Sequence, residues 1–185
     1  MNIVLQTICE RSSVRNYLDR PISDSEMAIL ETAALAAPTS LDLQQQKFFF
    51  IRKRELLAVI EKGVIEAAKE RNEDDYLQRL AERENKVLFG APLLIIIAVN
   101  TANNYIDVDA GIAVQSIALA ARSVGLDSVI MAAPDRIFTG PDSGRYTDLI
   151  GFPPGFRFAI SIAVGYAALP KIPHTHTLDN IIRFD

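Results

Sequence analysis

The segment APLLIIIAV, residues 91–99, constrains the fold most, because all of its side chains are apolar and must leave water. It is too short to span a bilayer, which takes about 20 apolar residues as a helix. The run therefore predicts a buried strand. Three further segments have strand character, at 47–52, 127–133 and 157–166, and Pro- and Gly-containing loops separate them.

Two helices are predicted in the first forty residues. Apolar residues at helical spacing over 2–10 predict a short amphipathic helix. Ser23 and Glu26 form a capping-box pattern ahead of an apolar periodic run, which predicts a helix within 21–37. Pro38 ends that helix, because proline disfavours helical geometry in the residue before it.

Two longer helical regions follow. Residues 53–85 are highly charged, and the polar stretch 69–76 predicts a break or a lid within them. Residues 107–126 contain many small side chains that allow a helix to pack closely on its neighbours. Interleaved helices and strands predict a layered α/β or α+β domain with a helix-wrapped sheet, and the length predicts one domain over 1–185.

Composition narrows the class of partner. The net charge of −4 and the pI near 5.2 argue against a nucleic-acid groove or an anionic membrane surface as the main partner. A single cysteine, Cys9, excludes an intrachain disulfide and favours a reducing cytoplasm; we expect its side chain to be buried. The first residues lack a signal-peptide pattern. A mean hydropathy of +0.15 favours a buried interface.

Several familiar reaction centres have no counterpart in the sequence. It contains no GxGxxG or GxxxxGK[ST] phosphate loop and no GxSxG elbow. The two histidines, His174 and His176, have no HExxH motif and no third ligand beside them, so we expect no metal site and no Ser-His-Asp triad.

The segment RSSVR, residues 11–15, is a candidate anion site. Arg11 and Arg15 carry fixed guanidinium donors, and Ser12 and Ser13 add hydroxyl and backbone donors, so the four residues could surround a phosphate. The alternative interpretation is a solvated basic turn at a helix end. The motif alone leaves both interpretations open.

Four segments in order resemble the nitroreductase family of flavin-dependent oxidoreductases, and the resemblance covers almost the whole chain. They are RSSVR at 11–15, APTSLDLQ at 37–44, DAGIAVQSIALAARSVGLDS at 109–128, and GFPPGF and AVGY within 151–166. The resemblance implies an α+β fold with a central, mostly antiparallel sheet of four to five strands wrapped by helices. It also implies a homodimer that exchanges its C-terminal arms and holds one FMN in each of two clefts at the interface.

The resemblance also implies which residues bind the cofactor. Arg11, Ser13 and Arg15 would grip the FMN phosphate and ribityl chain, with Ser12 adding local contacts. A backbone N–H in the turn at Met131, Ala132 and Ala133 would face flavin N5, and Lys171 would lie near the phosphate. The loop that reaches the flavin from the partner subunit would contribute Pro38, Thr39, Ser40, Asp42 and Gln44.

The sequence departs from the family pattern at three places. Asp42 stands where asparagine is usual, and an ionised carboxylate beside the flavin would lower its reduction potential. Gln45 and Gln46 replace a Pro-Trp pair. Pro173 lies near the place of a late arginine, for which His174 or His176 could compensate.

In such a protein the flavin carries the bond chemistry, so no catalytic side chain is expected. The implied activity is hydride transfer from NADH or NADPH to the flavin, followed by reduction of a small acceptor such as a nitroaromatic or a quinone, in a ping-pong mechanism. The departures from the pattern keep a rival open: a flavin-binding carrier or sensor without turnover. A third class, acting on flavin or iodinated substrates, carries distinctive insertions that this sequence lacks.

Overall fold

The structure is a computed structural model of the chain. It describes residues 2–102, 104–169, 171–175 and 177–184. His176, one of the two candidate replacements for the late arginine, lies outside the described residues.

The centre of the fold is a four-stranded sheet in the order β1-β2-β4-β3. All three pairs of neighbouring strands are antiparallel. The strands are β1 Gln46–Ile51, β2 Leu93–Asn100, β3 Asp127–Met131 and β4 Phe156–Gly165.

Helices cover the sheet on both faces, and the described residues contain seven of them. They are α1 Ile3–Glu10, α2 Asp24–Leu35, α3 Arg54–Glu70, α4 Asp74–Ala81, α5 Ile106–Ser123, α6 Asp135–Phe138 and α7 Ser143–Ile150. The predicted α+β class, the four strands and the break within 69–76 are confirmed. The capping box is present as well, since Ser23 N–H donates to Glu26 Oε2 at 2.8 Å and Glu26 N–H donates to Ser23 Oγ at 3.3 Å.

The strand β2 divides the core into two layers. Leu94 and Ile96 contribute to the cluster with α3, whereas Leu93, Ile95 and Ile97 contribute to the cluster with α2 and α5. Successive strand side chains point to opposite faces, so a strand buried on both faces reads as a continuous apolar run. This explains why residues 93–99 show no alternation of apolar and polar positions.

The segment after α1 joins the edge of the sheet and places the candidate anion motif there. Val14 N–H donates to Ser128 O at 3.0 Å, and Leu18 N–H donates to Tyr166 O at 2.9 Å. Ser13 and Ser128 form a parallel bridge. Residues 11–18 therefore run beside β3 and the end of β4.

The expectation for Cys9 is wrong, because its side chain is exposed. No residue of α1 is buried, and apolar residues such as Ile3 and Ile8 face outward. Within one chain the helix packs against α5 and still leaves several of its apolar side chains exposed. None of the helices in the described ranges is long and apolar enough to cross a bilayer.

Gly63 of α3 leaves room for the side chain of Tyr146. A Cβ at this position of α3 would lie 2.6 Å from Cζ of Tyr146, a buried side chain of α7. We expect Gly63→Ala to lower the free energy of unfolding by about 1–3 kcal/mol through overpacking, measured by urea denaturation. Gly144→Ala on α7 is the matched control, since its Cβ meets nothing within 4 Å; stability should stay unchanged or rise by up to about 1 kcal/mol. Equal effects of the two substitutions would contradict this account.

Candidate functional site

The residues of the candidate anion motif and Lys171 lie together, although 158 positions separate Ser13 from Lys171. Lys171 Nζ donates to Ser13 O at 2.9 Å, and the Ser12 hydroxyl donates to Lys171 O at 3.3 Å. Arg15 Nη1 donates to the same Ser13 carbonyl at 3.4 Å. Arg11 is the residue that caps the C-terminus of α1. We call Arg11, Ser12, Ser13, Arg15 and Lys171 the basic cluster.

The three cations of the basic cluster have no anionic partner in the described part of the chain. The ion pairs found there involve other residues. In a chain with net charge −4, three unpaired cations around one short segment create a local positive field. The cluster can therefore attract and hold an anion.

A buried hydroxyl beside the basic cluster adds a second observation. Ser128 is only 2% exposed, and its Oγ has no hydrogen-bond partner among the described residues. Buried polar side-chain atoms are nearly always paired, so an unpaired one calls for a ligand or water. Because Ser128 is bridged to Ser13 through the backbone, this residue lies beside the segment where a phosphate would bind.

The predicted flavin turn follows at the other end of β3. Met131 ends the strand, and its carbonyl accepts the Ser161 hydroxyl at 2.8 Å. Ala132 is exposed and Ala133 is half-buried, and α6 begins two residues later. The three positions from Ser128 to Met131 span about 10 Å of strand. A ligand with a phosphate at the basic cluster and an extended body along β3 would reach this turn.

Arg136 on α6 holds the turn in place, and sequence reasoning missed it. Its Nη1 donates to Ala133 O at 3.4 Å, and its Nε donates to Glu73 Oε2 at 2.9 Å. The guanidinium also lies 4.0 Å from the centroid of the Tyr76 ring. Burial raises the pKa of Tyr76, so this phenol stays neutral at physiological pH. The break between α3 and α4 therefore supports the turn, which gives part of residues 53–85 a structural role.

Three hydrogen bonds that involve side chains help to hold the loop over residues 38–44, besides two backbone bonds within it. Ser40 N–H donates to Asp109 Oδ1 at 3.0 Å, and Gln44 N–H donates to Thr39 Oγ1 at 3.0 Å. Gln44 Nε2 donates to Asp42 Oδ1 at 2.9 Å. Pro38, Asp42 and Gln44 are exposed, and Thr39 and Ser40 are half-buried. The loop presents polar atoms outward.

One chain does not bring this loop to the basic cluster. The loop leads into β1 and the cluster lies beside β3, so the two are on opposite edges of the sheet, about 14 Å apart across three strand spacings. They are also near opposite ends of β4, since Gln46 aligns through Val99 with Arg157, whereas Ser128 aligns with Val164.

The positions that depart from the expected pattern range from buried to exposed. Gln46 is only 8% exposed, yet neither atom of its amide group has a hydrogen-bond partner within the described ranges, and Gln45 Oε1 is in the same situation. Pro173 is half-buried and His174 is exposed in the tail. Over the described residues, no group of three or more His, Cys, Asp or Glu side chains could hold a metal ion.

The donor set fits a phosphate-bearing ligand such as FMN. Two guanidinium groups, an ammonium group and a serine hydroxyl without a partner match the charge and the hydrogen-bond acceptors of a phosphate. From the cluster, β3 leads to backbone groups at Ala132 and Ala133.

A family model identifies one family, and the solved structures with the same fold include an iodotyrosine deiodinase bound to FMN, which covers 99% of both chains. A family model described as "Nitroreductase family" matches residues 8–166. No curated protein matches the sequence significantly.

Three solved structures illustrate the similarity. A nitroreductase with bound FMN from Desulfitobacterium hafniense is 28% identical, with a TM-score of 0.94 and 100% of both chains covered. A nitroreductase with bound FMN from Bacteroides fragilis has the same fold at 24% identity, with a TM-score of 0.85 over 100% of both chains. An NADH dehydrogenase/NAD(P)H nitroreductase from Parabacteroides distasonis is 25% identical, with a TM-score of 0.77, covering 99% of this chain and 98% of the other.

Proposed function

This chain belongs to the nitroreductase family, and from that premise we propose that it is a homodimeric FMN-dependent oxidoreductase using NADH or NADPH. Its acceptor is a small oxidised molecule such as a nitroaromatic or a quinone. The observation that carries this proposal is the basic cluster with the unpaired hydroxyl of Ser128 beside it. FMN bound in the similar structures from D. hafniense and B. fragilis supports the choice of cofactor.

Each part of the site has a separate task in binding. Arg11, Arg15 and Lys171 would neutralise the phosphate, and Ser12 and Ser13 would supply short polar contacts, with the Ser128 hydroxyl as a further donor. FMN would supply the redox chemistry between the nicotinamide and the acceptor. The backbone after Met131 would contact the ring, and because this contact is made by the main chain, alanines at 132 and 133 can supply it.

A second copy of the chain completes the site. The loop carrying Pro38, Thr39, Ser40, Asp42 and Gln44 lies too far from the basic cluster to serve it within one chain. In the proposed homodimer the loop of one subunit meets the cofactor held by the other. The exposed apolar residues of α1 and of the tail, including Ile3, Ile172 and Phe184, provide surface for this interface and for an exchanged C-terminal arm.

Further inferences concern the whole protein and not only the binding site. We infer one flavin-binding domain over 1–185, in a cytoplasmic protein with neither nucleic acid nor a membrane as partner. No side chain is assigned as a catalytic acid or base. The physiological acceptor is to be sought among flat oxidised rings, because one cleft has to admit the nicotinamide and the acceptor in turn.

The visible absorption spectrum of the purified protein tests this function. We expect a flavin spectrum that bleaches within seconds when NADH or NADPH is added without oxygen, and recovers when a quinone or a nitroaromatic follows. A bound flavin that neither nucleotide reduces would favour a carrier or sensor instead. Failure to bind added FMN would refute the cofactor assignment.

The anion site has its own test in Arg11→Ala. Loss of one charge-assisted contact to the phosphate should raise the dissociation constant for FMN by about 10- to 100-fold. Arg145→Ala on α7 removes the same charge outside the cluster and should leave FMN affinity unchanged. FMN affinity is measured by quenching of flavin fluorescence. If the Arg11 variant binds FMN as tightly as the wild type does, the alternative interpretation of residues 11–15 as a solvated basic turn is favoured.

Asp42 should set part of the reduction potential. Its carboxylate disfavours added negative charge nearby, so Asp42→Asn should raise the midpoint potential by about 20 mV, corresponding to about 1 kcal/mol for a two-electron couple. Gln44 can still donate to the amide oxygen of an asparagine, which keeps the loop contact. Potentiometric titration of both proteins measures the difference; an unchanged potential would place Asp42 away from the flavin.

A further inference from the structure

The loop over residues 38–44 is held in a conformation that its sequence does not favour. Leu41 and Asp42 both have φ of 53°, and Gln44 has φ of 49°. Positive φ is uncommon for residues other than glycine, because Cβ crowds the backbone. Such a conformation persists only where the surroundings fix it, and it tends to occur at functional sites.

The contact that fixes the start of this loop comes from α5. Asp109 Oδ1 accepts the Ser40 N–H at 3.0 Å across 69 positions of sequence. Asp109 is only 4% exposed, and no cation in the described part of the chain pairs with it. Burying a carboxylate without a counter-ion costs free energy. We therefore expect Asp109 to have a role in the structure that offsets this cost.

The position of Asp109 near the start of α5 does not by itself explain why this carboxylate is buried. An acidic side chain in the first turn is favourable for the helix dipole, and Asp107 serves this purpose two residues earlier. Asp107 is exposed and forms an ion pair with Arg157 at 2.7 Å. Burial and the contact with the loop are therefore particular to Asp109 in this turn.

We propose that Asp109 is a positioning residue for the loop over residues 38–44: its carboxylate fixes the backbone of Ser40 and so sets how Thr39 and Ser40 meet the cofactor. It does not touch the reacting atoms. The part of this inference that concerns the cofactor rests on the proposed function, whereas the part that concerns the shape of the loop does not.

Two measurements test the proposal on Asp109→Ala, with Asp107→Ala as the matched control. The first is amide hydrogen exchange at Ser40 in the protein without cofactor, observed by NMR. The second is the dissociation constant for FMN. Removing the acceptor should speed exchange at Ser40 and weaken FMN binding, each by about tenfold or more. Asp107→Ala should change neither quantity.

The conservative variant separates positioning from general stability. Asp109→Asn keeps an oxygen in the same place, so exchange at Ser40 and FMN affinity should return to within about threefold of wild type. If Asp109→Ala leaves both quantities unchanged, or if Asp107→Ala changes them as much, the proposal is overturned. If the wild-type protein binds no FMN, the proposed function fails and the exchange experiment alone decides the role of Asp109.

A second pair of variants applies if Asp109→Ala does not fold. Ser40→Pro removes the N–H donor and leaves Asp109 in place, and Ser40→Ala removes only the hydroxyl. FMN binding should weaken by about tenfold or more in Ser40→Pro relative to Ser40→Ala. Equal affinity in these two variants would overturn the proposal, since the hydrogen bond itself would then be dispensable.

Discussion

The burial of β2 on both faces is the constraint on which the rest of the structure depends. Every side chain from Leu93 to Val99 is removed from water. At about 1.5–3 kcal/mol for each large apolar side chain, the six in this run supply roughly 9–18 kcal/mol of favourable transfer energy. That gain requires a helical layer on each face, which α3 supplies on one side and α2 with α5 on the other. A buried strand also needs hydrogen-bonded neighbours on both sides, which β1 and β4 provide for β2. In the order β1-β2-β4-β3, β1 and β3 are the edges of the sheet.

The two edges carry the two parts of the candidate site. The basic cluster and the turn after Met131 lie along β3, and the strained loop lies before β1. A sheet of this width keeps them apart within one chain. In the proposed homodimer the β1 edge of one subunit would meet the β3 edge of the other, so cofactor binding would depend on assembly. The loop with positive φ angles is held by a hydrogen bond to Asp109 of its own chain, so its shape does not depend on a partner subunit.

Most helices and strands could be predicted from local sequence patterns, whereas contacts between residues far apart in the sequence could not. The capping box at Ser23 involves residues three apart, so its spacing alone predicts the helix start. The family resemblance implied only that Lys171 and Ser13 both lie near a phosphate; their direct contact was not predicted, because no local pattern joins positions so far apart in sequence. Nothing in the sequence distinguishes Asp109 from Asp107 in the first turn of α5, and only the burial of Asp109 separates the two. The prediction that the Cys9 side chain is buried was wrong. The apolar spacing of α1 is typical of a helix packed in a core, whereas the apolar side of α1 faces outward in the single chain.

The central claim is that the basic cluster grips a phosphate, and the most direct test compares FMN with riboflavin on the wild-type protein. The two ligands share the ring and the ribityl chain and differ only in the phosphate. Two or more charge-assisted contacts at that group predict that FMN binds at least about 100-fold more tightly than riboflavin at low salt. The preference should shrink as salt is added, because the cluster is partly exposed. Equal affinity for the two ligands would contradict the account, since the unpaired cations beside β3 would then have another purpose.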